Sequence, residues 1–220
     1  MLESILGSDT QQSQLTPLYA TILHEYSDTL VALGKLTEAA EVLDHVLSLR
    51  QRYYHQHVSI ATTVSSLAVC SLKSNNLISA RKYMDTAQSM FDTLSPEHMQ
   101  GRLLRYTKAE LNATQGNFDA SMELVENTMN YFSEAFGAKH IFVTEGIALT
   151  AAICTARGIY KHAGTYFAKA IDRLLGPPPQ IMTMRKARYV VRYARYLISV
   201  YECSLANELL GDVIPFLQEL

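Results

Sequence analysis

His24, Glu25 and Asp28 crowd into the phrase HEYSD, which begins like a zinc-protease helix. In H-E-x-x-H, two histidines one helical turn apart bind zinc and the glutamate serves as general base. Here Asp28 stands where the second histidine is needed. Two readings remain: His24 and Asp28 as a pair of ligands one turn apart, or His24, Glu25 and Asp28 as exposed polar residues of a helix. His55 and His57 lie two apart, so on a helix they would diverge, and loop polarity accounts for them. Cys70, Cys154 and Cys203 are far apart, lack C-x-x-C spacing and fall in helical stretches, where cysteine packs as a small core residue. The chain contains no G-x-S-x-G, no G-x-x-x-x-G-K and no G-x-G-x-x-G. No catalytic residue, metal or cofactor is therefore expected. Asn112-Ala113-Thr114 matches a glycosylation acceptor, a pattern that arises often by chance and is inert in a cytosolic protein.

The densest charge is MRKARYVVRYARY, residues 184–196. Arg185, Arg188, Arg192 and Arg195 share one helix face, with Tyr189, Tyr193 and Tyr196 as a neighbouring stripe. Four guanidiniums on one face repel and call for acidic compensation. One reading is a docking face for an acidic peptide, using forked hydrogen bonds and aromatic stacking. The other is a solvated face whose arginines pair with Glu145, Glu202 or Glu208 while the tyrosines pack in the core.

Composition limits the classes available to such a face. Hydrophobic residues make up 48% of the 220 and charged residues 18%, which is globular rather than disordered. Nineteen Lys and Arg against 21 Asp and Glu leave a net charge of −2, which disfavours a general nucleic-acid or membrane-surface role. The most apolar stretch, 141–154, is interrupted by Glu145, and MLESILGSDTQQ lacks the basic and apolar regions of a signal peptide. Three scattered cysteines suit a reducing, cytoplasmic compartment.

The elements that must carry these residues are set by an internal repeat. GKLTEA (34–39), NNLISA (75–80), GNFDAS (116–121) and GIYKHA (158–163) each separate two amphipathic stretches. Each ends on a small residue: Ala39, Ala80, Ser121, Ala163, with a weaker fifth copy at Ala206. A second small column holds Ser27, Ala68, Ala109, Ala151 and Ala194. Apolar columns follow at Leu43, Met84, Val125, Phe167 and Leu210, and a further column runs Val46, Ala87, Thr128, Ala170 and Val213. Small residues facing one another let two helices approach closely, with large neighbours filling the space around them. First helices are expected near 18–33, 59–74, 100–115, 142–157 and 183–199, and second helices near 37–52, 78–93, 119–135, 161–175 and 204–219. No single hairpin can bury its apolar face alone, so the hairpins must stack.

These columns resemble a tetratricopeptide repeat (TPR) array. The period of 41–43 residues exceeds the family minimum of about 34. With FGAKH (136–140) and LLGPPP (174–179), it is similar to the kinesin-light-chain and nephrocystin-3 type, in which the second helix is extended. The resemblance implies an all-α, right-handed superhelical solenoid of about five helix–turn–helix repeats: 18–58, 59–99, 100–141, 142–182 and 183–220, with 1–14 as the tail of a preceding repeat. Lys108 sits in a column that the family fills with an apolar residue, so either its helix is locally shifted or the lysine reaches to solvent. The chain stops at FLQEL without a polar capping helix, which is expected of a segment of a longer protein.

The resemblance further implies a concave groove lined by the first helices, accepting a peptide or helix of a protein partner. By column, its lining would be His24, Asp28, Ser65 and Val69 in the first two repeats, with Thr21 and Thr62 beside them. Tyr106, Glu110, Glu145 and Ala152 would follow, and then the arginine face. The Lys/Asn/Arg carboxylate clamp of the chaperone-binding members is replaced here by His24, Asp28, Ser65 and Val69, and Ser65 and Ser66 stand where kinesin light chains carry Asn. The function expected is a non-enzymatic interaction scaffold or adaptor binding a protein or peptide, with an acidic segment of that partner as one means of docking. The alternative is a peptide-sensing regulatory domain, and a nucleic-acid-binding helical repeat is less favoured.

Overall fold

The computed structural model describes residues 9–175, 183–211 and 213–218; the side chains of 9–16, 175, 184 and 185 are not among those described. The described residues are predominantly helical, and among them there is no strand. In order the helices are α1 (Asp9–Ala32), α2 (Leu36–Tyr53), α3 (Val58–Lys73), α4 (Leu77–Leu94), α5 (Met99–Thr114), α6 (Phe118–Phe136), α7 (Ile141–Ala156), α8 (Tyr160–Leu175), α9 (Met184–Ser199), α10 (Cys203–Gly211) and α11 (Val213–Gln218). Two compact units result, Met1–Thr107 and Lys108–Leu220, with the division inside α5.

Most helices begin and end within two residues of expectation, with two departures. The helix expected from 18 begins at Asp9 and carries Pro17 inside it. Proline removes one donor and crowds the preceding turn, but upstream DTQQSQLT has no glycine to end the helix. Residues 9–14, expected as the end of a preceding repeat, thus run as the first turns of α1, while 1–8 lie outside the described residues. The helix expected over 204–219 is divided into α10 and α11. Pro215 has no N–H for the Gly211 carbonyl, and glycine is itself a weak helix former. The GPPP run at 176–179 also lies outside the described residues.

Each turn within a hairpin is made the same way. Gly34, Asn75, Gly116, Gly158 and Tyr201 occupy one column and all have positive φ, between 58° and 82°. The next amide then donates to the carbonyl five residues back: Lys35 to Leu30, Asn76 to Ser71, Asn117 to Asn112, Ile159 to Cys154 and Glu202 to Leu197, at 2.8–2.9 Å. This left-handed closure satisfies carbonyls that the helix end leaves open. Glycine takes the conformation freely; Tyr201 does so against its Cβ.

The small columns lie where helices meet. In the first unit Ser27, Ala39, Ala68 and Ala80 are completely buried, with Leu43, Met84, Val46 and Ala87 around them. In the second unit the same holds for Ala109, Ser121, Ala151 and Ala163. Ser121 uses its polarity there, donating from Oγ to the Ala109 carbonyl at 2.6 Å.

Successive hairpins meet through a further column. In the first unit the Arg50 guanidinium reaches Ser59 and Thr63 of α3. A Cβ added at Gly101 of α5 would lie 2.9 Å from the Phe91 ring, so α5 passes directly over that side chain. In the second unit Phe132 of α6 meets Phe142 of α7, with ring centroids 4.9 Å apart. Each contact sets the end of one hairpin's second helix against the start of the next hairpin's first helix.

Those first helices share an unusual cap. The ring Nδ1 of His57, His98 and His140 accepts from the backbone N–H two residues on, at 3.1–3.3 Å. Thr183 Oγ1 fills this role for α9. Each histidine also stacks on an aromatic ring: His57 on Tyr54, His98 on Phe91 and His140 on Phe136. Reading His57 as mere loop polarity missed this, although 57, 98 and 140 follow the repeat period.

Candidate interaction surfaces

On α9 the apolar side of the helix fixes where its charge points. Tyr189 is buried, and Tyr193 and Tyr196 are half-buried. Phe167 of α8 stacks on Tyr193 at 5.5 Å and lies 5.3 Å from Tyr196. Tyr196 donates its hydroxyl proton to the Tyr160 carbonyl at 2.9 Å. Burial, and secondarily Tyr196, raises the Tyr193 hydroxyl above its ordinary range. The tyrosines are therefore core anchors, which turns Arg188 and Arg195 outward into solvent.

Arg192 behaves differently. Its Nη2 donates to Glu110 Oε1 at 2.7 Å in a half-shielded pair that joins α9 to α5 within the second unit. Glu110 is not among the acidic partners expected for this face, and Glu145 is half-buried on α7. Among the described residues neither Arg188 nor Arg195 has an ion-pair partner within 4.0 Å. The Arg185 side chain lies outside the described ones. Lys108 is half-buried on α5.

Several residues expected on the groove surface are instead covered. Ser65 and Tyr106 are buried, Val69 and Glu110 are half-buried, and Asp28 is exposed. His24 is the clearest correction: only 6% of it is exposed. The reading of HEYSD as exposed helix surface therefore holds for Glu25 and Asp28 and fails for His24. The reason is Arg50, which occupies a core position of α2 and draws polar groups around it.

Arg50 Nη1 donates to the Ser59 carbonyl at 2.8 Å and to Thr63 Oγ1 at 2.7 Å, and approaches His24 Nδ1 at 3.5 Å. On its other side His24 Nε2 lies 3.3 Å from Ser66 Oγ. A guanidinium cannot accept, so Nδ1 must be the acceptor and Nε2 carries the proton toward Ser66. Burial, reinforced by the Arg50 charge, lowers the His24 pKa to about 4. Burial also lowers that of Arg50, against the opposing pull of Tyr54 and Glu25. Burial and neighbouring Glu25 raise the Asp28 pKa to about 6. The arrangement keeps one imidazole neutral between α1, α2 and α3; it does not present that imidazole to solvent or to a metal.

Cys70 and Cys154 are buried, and burial lifts both thiols above their ordinary range, away from the reactive thiolate. Among the described residues no helix is long and apolar enough to cross a membrane.

No family model and no curated protein sequence matches the chain. Solved structures do resemble it in fold. BtubC (BKLC) from P. vanneervenii superposes with a TM-score of 0.62 at 11% identity, covering 97% of this chain and 90% of that one. A Podosopora anserina protein assigned as a kinesin light chain, with nearly identical TPR-like repeats, gives 0.57 at 18% identity, covering 94% and 95%. At such identities the likeness is one of fold. The class is thus a TPR-like helical-repeat protein, of the kind seen in kinesin-light-chain-like structures.

Proposed function

We propose that the chain is a non-enzymatic interaction scaffold whose α9 offers Arg188 and Arg195 to an acidic segment of a protein partner. The TPR-like fold commonly mediates protein interactions, which supports the general role. The observation that carries the specific reading is the exposure of Arg188 and Arg195 on a helix whose tyrosines are locked into the core. Arg192, held by Glu110, is a positioning residue in this scheme and lies between the two free guanidiniums along the helix. Each exposed guanidinium can fork onto a carboxylate, a geometry that lysine cannot copy. Exposed pairs contribute only about 0.2–1 kcal/mol each, so apolar contacts of the partner must supply the rest. A reducing, cytoplasmic setting fits the three unpaired cysteines, one of which, Cys203, is exposed.

The test is anisotropy titration of a labelled peptide of alternating glutamate and aromatic residues. Arg188→Glu with Arg195→Glu should abolish binding while the helical spectrum stays unchanged. Added salt should weaken binding to the parent chain, because screening at about 0.15 M acts over roughly 8 Å. Unchanged binding by the double variant would place the docking surface elsewhere.

A further inference from the structure

The face proposed for an acidic segment already holds a carboxylate, and the chain itself supplies it. Glu110 Oε1 accepts from Arg192 Nη2 at 2.7 Å. Arg192 lies four residues after Arg188 and three before Arg195. The three guanidiniums therefore belong to one side of α9, about 6 Å and then about 4.5 Å apart along its axis. Arg188 and Arg195 are exposed, whereas the carboxylate on Arg192 comes from 82 residues away.

That ion pair skips a hairpin. α5 and α9 belong to hairpins two repeats apart, with α7 and α8 between them in the chain, and α7 packs against α9. In the columns of Glu110 and Arg192, α7 carries Ala152 and Leu149. Neither is charged, and alanine ends at Cβ, so two long side chains can meet past it. The pair is open to water, with the Arg192 and Glu110 side chains 28% and 41% exposed. An ion pair so placed contributes little to stability, because solvent screens it and both long side chains lose freedom in forming it. A competing carboxylate can therefore replace Glu110 without unmaking the core around the tyrosines.

We propose that Glu110 stands in for the partner's carboxylate: in the free chain it masks Arg192, and an acidic segment docks by displacing it. This inference rests on the acidic-segment reading and adds to it a third receiving residue and a spacing. An extended segment advances about 3.3 Å per residue with alternate side chains on one face, so carboxylates two residues apart are about 6.6 Å apart. That matches the step from Arg188 to Arg192. The segment that fits carries acidic residues at alternate positions, one meeting Arg188 and the next taking the place of Glu110.

The test is anisotropy titration of the 220-residue chain with the same labelled glutamate–aromatic peptide. Glu110→Gln should bind it about two- to fivefold more tightly than the parent, the range set by one exposed ion pair. Adding Arg192→Gln should remove that gain. Glu202→Gln, which takes the same charge from the exposed turn after α9, should leave the affinity unchanged. Glu110→Ala provides the same test should the glutamine variant lose its helical spectrum. Weaker or unchanged binding by Glu110→Gln overturns the proposal and makes the pair a structural tie. In that case loss of binding on Arg188→Glu with Arg195→Glu would still uphold the acidic-segment reading. Equal gains from Glu110→Gln and Glu202→Gln overturn the proposal as well, leaving a general effect of charge. Absence of binding by both the parent and Glu110→Gln overturns the two together.

Discussion

Replacing His24 by Gln should remove a large part of this chain's sensitivity to mild acid. An unfolded histidine titrates near 6.5, whereas burial beside Arg50 holds folded His24 at about 4. Between those values the unfolded chain binds the proton more readily, so acid favours unfolding. The stabilisation is complete above about pH 7 and is lost as pH falls through 6.5 toward 4. Integrating between the two pKa values gives a loss of about 2 kcal/mol by about pH 5, roughly a thirtyfold change in the folding equilibrium. Asp28 works in the opposite sense over the same window. Its carboxyl is raised from 3.8 to about 6, so the folded chain holds that proton more tightly as pH falls. Its side chain is exposed, so solvent screens the effect and no energy is assigned to it.

The comparison is cleanest in an Asp28→Asn background, where that opposing titration is gone. Urea unfolding followed by far-ultraviolet circular dichroism would be run near pH 7 and pH 5, with and without His24→Gln. Glutamine can still accept from Arg50 and donate to Ser66, but it carries no titratable proton. The histidine chain should lose about 2 kcal/mol on acidification, and the glutamine chain should lose much less. A nuclear magnetic resonance titration of the His24 ring gives the folded pKa directly. Equal losses in both chains, or a His24 midpoint near 6.5, would refute the buried network as drawn.

Two further expectations concern the repeat itself. Ala163→Leu should overpack the contact with Ala151, Cys154 and Phe167 and cost about 1–3 kcal/mol in chemical unfolding, while Ala120→Leu, at an exposed site, should stay within about 0.5 kcal/mol. An unchanged midpoint for Ala163→Leu would mean that the small columns do not set helix approach. Tyr201→Gly should stabilise the chain by about 1 kcal/mol, because Tyr201 holds φ 66° where four of the five hairpin turns use glycine or asparagine, and 92% of its surface is exposed. A lower melting midpoint would show that the ring makes contacts outweighing its backbone strain.

The hairpins were legible because their constraints are local and recur. Two small columns, a turn residue with positive φ and an apolar position four residues on are all visible in sequence, and Ala39, Ala80, Ser121 and Ala163 are completely buried. What escaped was set by single residues rather than by period. The repeat register places a start near 18, but Pro17 does not end the helix there, and α1 runs back to Asp9. Gly211 and Pro215 divide the final helix where the column pattern continues unbroken.

The interaction surface was legible in direction and not in pairing. A tyrosine stripe beside an arginine stripe settles which face of α9 is buried. It cannot reveal that Arg192 meets Glu110, which lies 82 residues away on a helix two repeats earlier. Stacking creates that proximity, and no sequence spacing encodes it. The Arg50 network is the opposite case. Its column reads Arg, Phe, Phe, Leu, Leu, so one charge stands among four apolar residues. A charge in a core column must be satisfied or must distort the packing. Searching the facing helices for polar residues then yields Thr63, Ser66 and His24, which removes His24 from the solvent-facing set before any partner is considered. In a repeat array, the residue that breaks its own column thus tells more than the residue type alone: at Arg50 the break draws polar groups inward.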